Sequence, residues 1–233
     1  MSCDLLVFAP HPDDAEIHCG ATIAAQVRQG ARVVICDATR GELGSRGTVA
    51  ERTVEAAAAA EVLGLAARDN LGLPDGGLMA GDRGQRDALV TAMRRHAPHT
   101  VLTIAGQARH GDHLALHALT LAAAKMAALH RFPAPGAAVP GIRLWCYEAE
   151  LPVSAPLFLS ACSEADWERK QAAVRCYGSQ IAVRSGPATT IATPEFERWV
   201  EARGRVWGFQ AGAPYAEAFT GPELPRIQDL RSI

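Results

Sequence analysis

Short apolar runs alternate with stretches of helical length through the first half of this chain, and this alternation restricts its fold more than any other feature. Runs of four or five apolar residues are typical of buried strands. Strand–helix alternation predicts a parallel sheet covered by helices, because parallel strands need crossover connections. The predicted strands are residues 5–8, 32–36, 70–73 and 100–104, and the predicted helices are residues 17–29, 49–63, 82–96 and 113–130.

The second half continues the pattern less regularly. Residues 132–141 contain three prolines and are predicted to form a surface loop. Strands are predicted at 142–147 and 157–160, helices at 164–177 and 194–207, and an irregular tail beyond them. No internal repeat or low-complexity linker divides the chain. We therefore predict one α/β domain over residues 1–233, with a Rossmann-like, mostly parallel sheet flanked by helices.

The charge and hydropathy of the chain argue against several classes of partner. The formal net charge of −2 gives no sign of the basic stripe that nucleic-acid binding needs. No apolar segment reaches the roughly 18 residues of a membrane span, and no basic region precedes the first strand as in a signal peptide. Six cysteines without a Cys-x-x-Cys pair indicate reduced thiols. We expect a cytoplasmic protein. The helices predicted after residue 163 could form the interface of a homo-oligomer.

A polar motif, APHPDDA over residues 9–15, follows the first predicted strand directly. In open α/β sheets the carboxyl ends of the strands are where ligands bind. Imidazole and carboxylate groups are ligands for zinc or iron, and a second carboxylate is free to act as a base. On its own, the motif is also compatible with a simple turn capped by an aspartate.

A second polar motif, RHGDH over residues 109–113, follows the strand predicted at 100–104. Both motifs are expected at the same edge of the sheet. A set of two histidines and one carboxylate leaves coordination positions open, as a catalytic metal requires. The same set binds ferrous iron in oxygenases, but a neighbouring unligated carboxylate has a use only in a hydrolase. The two motifs together therefore predict a metal-dependent hydrolase.

Three further side chains near the motifs are weaker ligand candidates. His117 follows His113 by one helical turn, and His18 lies on the first predicted helix among small residues. Cys19 follows Asp14 by five residues. For each of the three, burial against the helix is the simpler interpretation.

Two common functions of α/β folds are disfavoured. A dinucleotide site needs Gly-x-Gly-x-x-Gly after the first strand, so that the backbone can approach pyrophosphate. Here two carboxylates follow that strand and would repel phosphate. No Gly-x-Ser-x-Gly sequence is present, which disfavours a serine hydrolase.

The two motifs together resemble those of the PIG-L/LmbE superfamily of metal-dependent N-acetylglucosamine deacetylases. Other segments are similar to the branch that acts in bacillithiol biosynthesis, and they extend the resemblance over nearly the whole chain. These segments are DAEI (residues 14–17), GELGSRGT (41–48), NLGLPDGGL (70–78), YGSQ (177–180) and GAPYAEAF (212–219).

The resemblance implies a zinc ion, with ferrous iron as the alternative, bound by His11, Asp14 and His113. It implies that the adjacent carboxylate, Asp13, is the general base that activates water. The reaction implied is removal of an N-acetyl group from a glucosamine-type glycoside.

Four more roles follow from the resemblance. His110 would stabilise the oxyanion or protonate the leaving amine, with Asp112 orienting the His110 ring. Arg52 and Arg109 would contact polar groups of the substrate. An arginine fork suits the carboxylates of a malate aglycone. The resemblance therefore points to a small aminosugar glycoside, with N-acetylglucosaminyl malate as the first choice.

Alternatives remain at the level of the sequence. Another acetylated aminosugar, such as a chitin oligomer or a natural-product glycoside, fits the same motifs. A non-catalytic sugar-binding or metal-binding module on this scaffold is the alternative from another class. The chain also departs from the family pattern, with Gly111 in place of a proline and with His18, Ala21 and Ala218 in place of glycines. These departures remove no expected ligand, but they alter the pocket.

Overall fold

The computed structural model describes residues 2–181 and 187–225 of the chain. In chain order the elements are β1 (Leu5–Ala9), α1 (Asp14–Arg28), β2 (Val33–Thr39), α2 (Val49–Leu63), β3 (Ala67–Leu73), α3 (Arg83–His96), β4 (Thr100–Ile104), α4 (Gly111–Ala127), β5 (Arg143–Tyr147), β6 (Phe158–Cys162), α5 (Glu164–Arg175), α6 (Gly178–Ile181), α7 (Pro194–Ala211) and β7 (Tyr215–Thr220). The strands form one seven-stranded sheet in the order β3-β2-β1-β4-β5-β7-β6.

The first five strands are parallel, and β7 runs antiparallel to both β5 and β6. The predicted α/β, Rossmann-like architecture with a mostly parallel sheet is confirmed. Strand β1 lies between β2 and β4. The chain adds β2 and β3 on one side of β1 and then adds β4 and β5 on its other side. Such a switch point opens a crevice at the carboxyl ends of the two central strands. The two polar motifs follow β1 and β4, and they meet there.

The core consists of two apolar layers, one on each face of the sheet. On one face, Leu6 and Phe8 of β1 pack with Leu89 and Met93 of α3 and with Leu116 of α4. The other face packs against α1, α2 and α5, with Val7, Ile23, Ile35, Leu63 and Tyr177 among its members. The alternating side chains of β1 contribute to both layers, because successive residues of a strand point to opposite faces. This burial fixes the end of β1, from which the first polar motif emerges.

Several element boundaries differ from the predictions. Helix α1 begins at Asp14 rather than at residue 17, so the end of the first motif is already helical. Strand β3 begins at Ala67, three residues earlier than predicted. Helix α4 begins at Gly111, two residues earlier than predicted, with His110 as its N-cap. Among the described residues, no helix has both the length and the apolar character of a membrane span.

The prediction of an irregular tail after residue 207 is wrong. Helix α7 continues to Ala211 and ends at Gly212 (φ 64°), and Tyr215–Thr220 then forms β7, an inner strand of the sheet. Its sequence, YAEAFT, contains two alanines and a glutamate, which have little intrinsic strand preference. Pairing on both sides, rather than local propensity, makes this segment a strand.

Strand β7 also explains a kink in α1. The helical geometry of α1 breaks at Cys19 (φ −139°, ψ 20°). The backbone N–H groups of Ala21 and Thr22, which follow the kink, donate to the two carboxylate oxygens of Glu217 at 3.2 and 2.7 Å. Lys170 Nζ of α5 donates to the same carboxylate at 2.6 Å. The buried Glu217 thereby ties α1 to β7 and α5.

Arg94 organises the proline-containing loop after α4. Its guanidinium donates to five backbone carbonyl oxygens, those of Ala127, Leu129, Phe132, Ala134 and Gly136, at 2.6–3.4 Å. These include the carbonyl of the last residue of α4, which has no partner within the helix. One buried side chain therefore ties the end of α4 to the loop that follows it, alongside backbone hydrogen bonds to three of the same carbonyls.

We expect Arg94→Met to lower the free energy of unfolding by about 2–4 kcal/mol, because five carbonyl oxygens lose a charged donor while the side-chain volume is largely kept. Urea denaturation measures the effect. The neighbouring Arg95 has an exposed side chain and forms a single ion pair with Asp69. Arg95→Met should therefore change stability by less than about 1 kcal/mol. Equal losses in the two variants would contradict this account of the loop.

Candidate metal centre and active site

Two loops at the carboxyl ends of β1 and β4 build the site. The first motif turns sharply at Asp13, whose φ of 120° is unusual for a residue other than glycine. Such strained backbone persists where the surrounding structure imposes it, often at functional sites. The turn sends Asp13 and Asp14, adjacent in sequence, to different neighbours. Asp14 faces two histidines, whereas Asp13 faces an arginine.

His11, Asp14 and His113 converge on one point, as the resemblance implies. Oδ2 of Asp14 lies 3.1 Å from Nδ1 of His11 and 3.4 Å from Nε2 of His113. One ligand atom from each residue lies within 4.8 Å of the other two. Two imidazole nitrogens and a carboxylate oxygen at this spacing suit a zinc or ferrous ion with open coordination positions.

Carboxylates lie behind both histidines of this cluster. The Nε2 atom of His11 is 3.1 Å from Asp75 and 3.3 Å from Asp112, and Nδ1 of His113 is 3.2 Å from Glu150. In metal sites such partners fix the orientation and the tautomer of the ligating imidazole. They leave Nδ1 of His11 and Nε2 of His113 for the metal. The donor set and its support therefore both fit a divalent cation.

The pKa shifts of His113 and Asp14 show that the carboxylates of the cluster favour a positive charge between them. Burial disfavours a charged His113, but Asp14 and Glu150 outweigh that effect and raise the pKa of His113 to about 9. Burial likewise opposes the ionised form of Asp14, yet His113 and His11 hold its pKa well below the usual range. A divalent cation would supply the positive charge that these carboxylates otherwise draw from protonated imidazoles.

Asp13 is the second carboxylate and lies outside this ligand cluster. Its Oδ2 atom accepts a hydrogen bond from Nη2 of Arg52 at 2.8 Å, and only 6% of the residue is exposed. Burial raises the pKa of Asp13 to about 7, although the charge of Arg52 acts in the opposite direction. A carboxylate with a pKa near neutrality is suited to accept and return a proton.

Arg52 takes a different position from the substrate contact that the resemblance implies. Its guanidinium is buried, donates to Asp13 and to the carbonyl of Pro12, and is absent from the described lining of the cavity. It packs so closely on Gly41 (φ 70°) that a Cβ there would lie 2.0 Å from Nη1. Arg52 therefore holds the Asp13 carboxylate in place, and Gly41 of the GELG segment makes room for the guanidinium.

His110 and Asp112 also differ from the expected arrangement. The Asp112 carboxylate does not hold the His110 ring but accepts from the backbone of Gly76 and Leu78, at 2.7 and 3.1 Å, and faces His11. The His110 ring contacts Asp112 only through the backbone, because the Asp112 N–H points to its Nδ1 at 3.2 Å. An imidazole that accepts at Nδ1 carries its proton at Nε2.

The environment of His110 favours the neutral ring. Burial lowers its pKa, and the neighbouring His11 and His113 add to that shift. His11, His110 and Asp112 form a second group with ligand atoms within 4.8 Å. The backbone donors already held by Asp112 make that group the weaker metal site.

The weaker ligand candidates lie outside both groups. His117 Nδ1 is 2.9 Å from the carbonyl of Ile104, and Cys19 is fully buried at the kink of α1. His18 approaches the ligands more closely, with Nε2 3.8 Å from Oδ1 of Asp14. It lines the cavity beside the cluster and is not one of the convergent ligands.

A cavity of about 580 Å³ opens in front of the cluster. Asp13, Arg109, His110 and Glu150 line one side of it. The opposite wall comes from the segment before α7 and from its first turns, with Ile191, Phe196 and Trp199. This volume accommodates a small glycoside, and an apolar wall facing convergent polar groups is typical of small-molecule sites.

Residues 6–124 match the family described as PIG-L, GlcNAc-PI de-N-acetylase. The chain belongs to this family. The matched region contains all three members of the ligand cluster, Asp13 and His110. The resemblance recognised from the two motifs is therefore confirmed at the level of the family, while the bacillithiol branch is not.

Relatives with known names support the same assignment. The 1D-myo-inositol 2-acetamido-2-deoxy-alpha-D-glucopyranoside deacetylase of Rhodococcus erythropolis is 33% identical over 165 residues, which cover 57% of this chain and 56% of the relative. The chain thus spans about half the length of the curated relatives that it matches.

Solved structures match over nearly the whole chain. The conserved protein TT1542 from Thermus thermophilus is 39% identical, with a TM-score of 0.89 and 98% coverage of both chains. The N,N'-diacetylchitobiose deacetylase from Pyrococcus horikoshii is 22% identical, with a TM-score of 0.79, covering 94% of this chain and 83% of its own. GalB, the 4-carboxy-2-hydroxymuconate hydratase from Pseudomonas putida KT2440, is 24% identical, with a TM-score of 0.77 and coverage of 98% and 99%. The last two similarities show the fold alone, and the hydratase shows that the activity must be argued from the site.

Proposed function

We propose that this protein is a metal-dependent hydrolase that removes the N-acetyl group from an N-acetylglucosamine-type glycoside. One observation carries the proposal: adjacent carboxylates are separated, with Asp14 in the ligand cluster and Asp13 outside it with a pKa near 7. Metal-assisted hydrolysis uses both a cation and a base that is not itself a ligand of that cation. A purely structural metal site has no use for the second carboxylate.

The ligands proposed are His11, Asp14 and His113, and the ion is zinc or ferrous iron. When bound, such an ion supplies Lewis acidity and lowers the pKa of water from 15.7 to about 7. Asp13 accepts the proton of the attacking water and returns it to the leaving amine. Arg52 keeps the Asp13 carboxylate in place during this exchange, because its Nη2 donates to Oδ2.

His110 is proposed to stabilise the oxyanion. Its Nε2–H lies free of the backbone contact at Nδ1, and its ring lies beside His11 with centroids 4.9 Å apart. A positioned donor that meets charge developing in the transition state is among the largest contributions to catalysis. The role of Asp112 is then to hold His11 and the start of α4, rather than to act on His110 through its carboxylate.

The specific substrate proposed is N-acetylglucosaminyl malate. Arg109 lines the cavity near His110 and Glu150 and can bind a carboxylate of the aglycone. A chitin oligomer, an inositol glycoside or a natural-product glycoside would use the same deacetylation centre with a different aglycone.

We expect Arg109→Ala to lower kcat/KM for the malate glycoside by about 10- to 100-fold, the loss of one or two charge-assisted hydrogen bonds. The methyl glycoside should lose less than about threefold, because it offers no carboxylate. Steady-state assays of both substrates measure the ratio, and Arg131→Ala is the control for removing an exposed arginine elsewhere. Equal losses for both glycosides would contradict this role.

Amine release tests the proposed function directly. The purified protein, loaded with Zn²⁺ or Fe²⁺, is assayed on N-acetylglucosamine glycosides with malate, inositol, N-acetylglucosamine and methyl aglycones. We expect at least one of these four glycosides to release free amine and acetate in equal amounts. Metal and sugar binding without any turnover would instead identify a non-catalytic binding module.

A further inference from the structure

Three side chains separate the active-site cavity from a smaller cavity behind it. Ile17 and His18 of α1 and Trp199 of α7 each line both spaces, and we call these three residues the partition. The space behind them, the inner cavity, has a volume of about 20 Å³. That is room for about one water molecule.

The partition stands directly beside the metal-binding carboxylate. Ile17 and His18 follow Asp14 by three and four residues, so all three lie on the same side of the first turn of α1. His18 Nε2 is 3.8 Å from Oδ1 of Asp14, and the His18 ring stacks on Tyr147 with centroids 6.4 Å apart. A group bound beside Asp13 and Asp14 in the active-site cavity therefore lies next to the partition.

The partition is held from behind by rigid contacts. The Trp199 ring lies between Phe196, at a centroid distance of 5.8 Å, and the Arg203 guanidinium, 4.4 Å from its centre. Arg203 is itself paired with Glu148, which lines the inner cavity. The His18 side chain is only 7% exposed and forms no hydrogen bond with the described residues. Its contribution to the partition is therefore the volume of its ring.

The orientation of an amide in this site follows from the sizes of its two ends. The glycoside is the larger end and fits only the open cavity of about 580 Å³. If the scissile carbonyl lies beside Asp13 and His110 and the glycoside extends past Arg109, the acyl end is directed toward the partition, which lines the same cavity. We propose that Ile17, His18 and Trp199 limit the length of the acyl group, admitting acetyl and excluding longer chains. This inference rests on the proposed deacetylation.

Truncating a side chain of the partition should join the two cavities and admit longer acyl groups. His18→Ala and Trp199→Ala remove bulk from different helices, so they do not share a folding defect. His18→Phe keeps a flat ring of similar size, and it loses no hydrogen bond to the described residues. It is the matched control.

The assay compares kcat/KM for N-acetyl and N-butyryl glucosamine glycosides with the same aglycone. We expect the butyryl-to-acetyl ratio to rise at least tenfold in His18→Ala and in Trp199→Ala, since one methylene in a pocket changes selectivity by about 10- to 200-fold. His18→Phe should keep the wild-type ratio within about threefold.

An unchanged ratio in both alanine variants would overturn the proposal, as would a wild-type enzyme that hydrolyses both amides equally well. A shift in His18→Phe as large as that in His18→Ala would also overturn it, because bulk would then not be the cause. If the wild type released no acetate at all, the proposed deacetylation would fail. Calorimetry would still test the partition, because the butyryl-to-acetyl ratio of binding affinities should rise in His18→Ala and in Trp199→Ala.

Discussion

Asp13→Asn should lower kcat by about 10²- to 10⁴-fold while the protein keeps its full metal content. The amide has nearly the shape of the carboxylate, and its oxygen can still accept from Nη2 of Arg52, now 2.8 Å from Oδ2. What it loses is the ability to accept a proton. Because Asp13 lies outside the ligand cluster, the affinity for the metal should change little.

Two measurements on the same preparation separate these effects. Elemental analysis gives the metal content, and amine release gives the turnover. Asp87→Asn, which removes an exposed carboxylate paired with Arg86 on α3, should leave both unchanged. Wild-type turnover in Asp13→Asn would exclude Asp13 as the base, and loss of metal would place it among the ligands.

His113→Ala should weaken metal binding by more than about a hundredfold, because a three-residue ligand set loses one of its two nitrogen donors. Competition with a chromophoric chelator measures the dissociation constant. The variant should also lose activity at limiting metal, and excess metal should restore only part of it.

Variants of two neighbours of His113 test whether the loss of metal affinity is specific to His113. Glu150→Gln removes the carboxylate behind Nδ1 of His113 but leaves the ligand, and such outer partners are worth about 10- to 100-fold in affinity. His117→Ala removes a histidine one turn away whose Nδ1 faces the carbonyl of Ile104, and it should retain wild-type affinity. Full metal occupancy in His113→Ala, or its loss in His117→Ala, would reverse the assignment of the two histidines.

The two motifs could be located from the sequence because each follows a buried parallel strand. A parallel sheet delivers the ends of its strands to one edge, so His11 and His113 could be placed together although 102 positions separate them. The resemblance already implies different roles for Asp13 and Asp14, but the physical reason for the difference needs the structure. Only the backbone turn at Asp13, with φ 120°, sends the two side chains to different partners.

The residues that the sequence did not reveal act through contacts distant along the chain. Glu150 follows β5, the next strand at the same edge, and this position is the signal that could have found it. Asp75 lies in the NLGLPDGGL segment that carries part of the resemblance, but nothing local indicates that it faces His11. The resemblance gave Arg52 as a substrate contact, and only its packing against Gly41 shows that it turns inward. Strand β7 was missed because its strand-forming Tyr215, Phe219 and Thr220 are interspersed with alanines and a glutamate, which favour helix, so that the local preferences conflict.

The bond between Glu217 and the kink of α1 has a consequence for how the protein is made. Asp14, Ile17 and His18 lie before the kink, and the donors to Glu217 lie just after it. All proposed metal ligands have been synthesised by residue 113, but Glu217, which anchors the helix that begins with Asp14, is added about a hundred residues later. During synthesis the nascent chain therefore carries its complete set of ligands well before it can hold them in place. We therefore expect the ligand cluster to reach its final geometry only after β7 has joined the sheet.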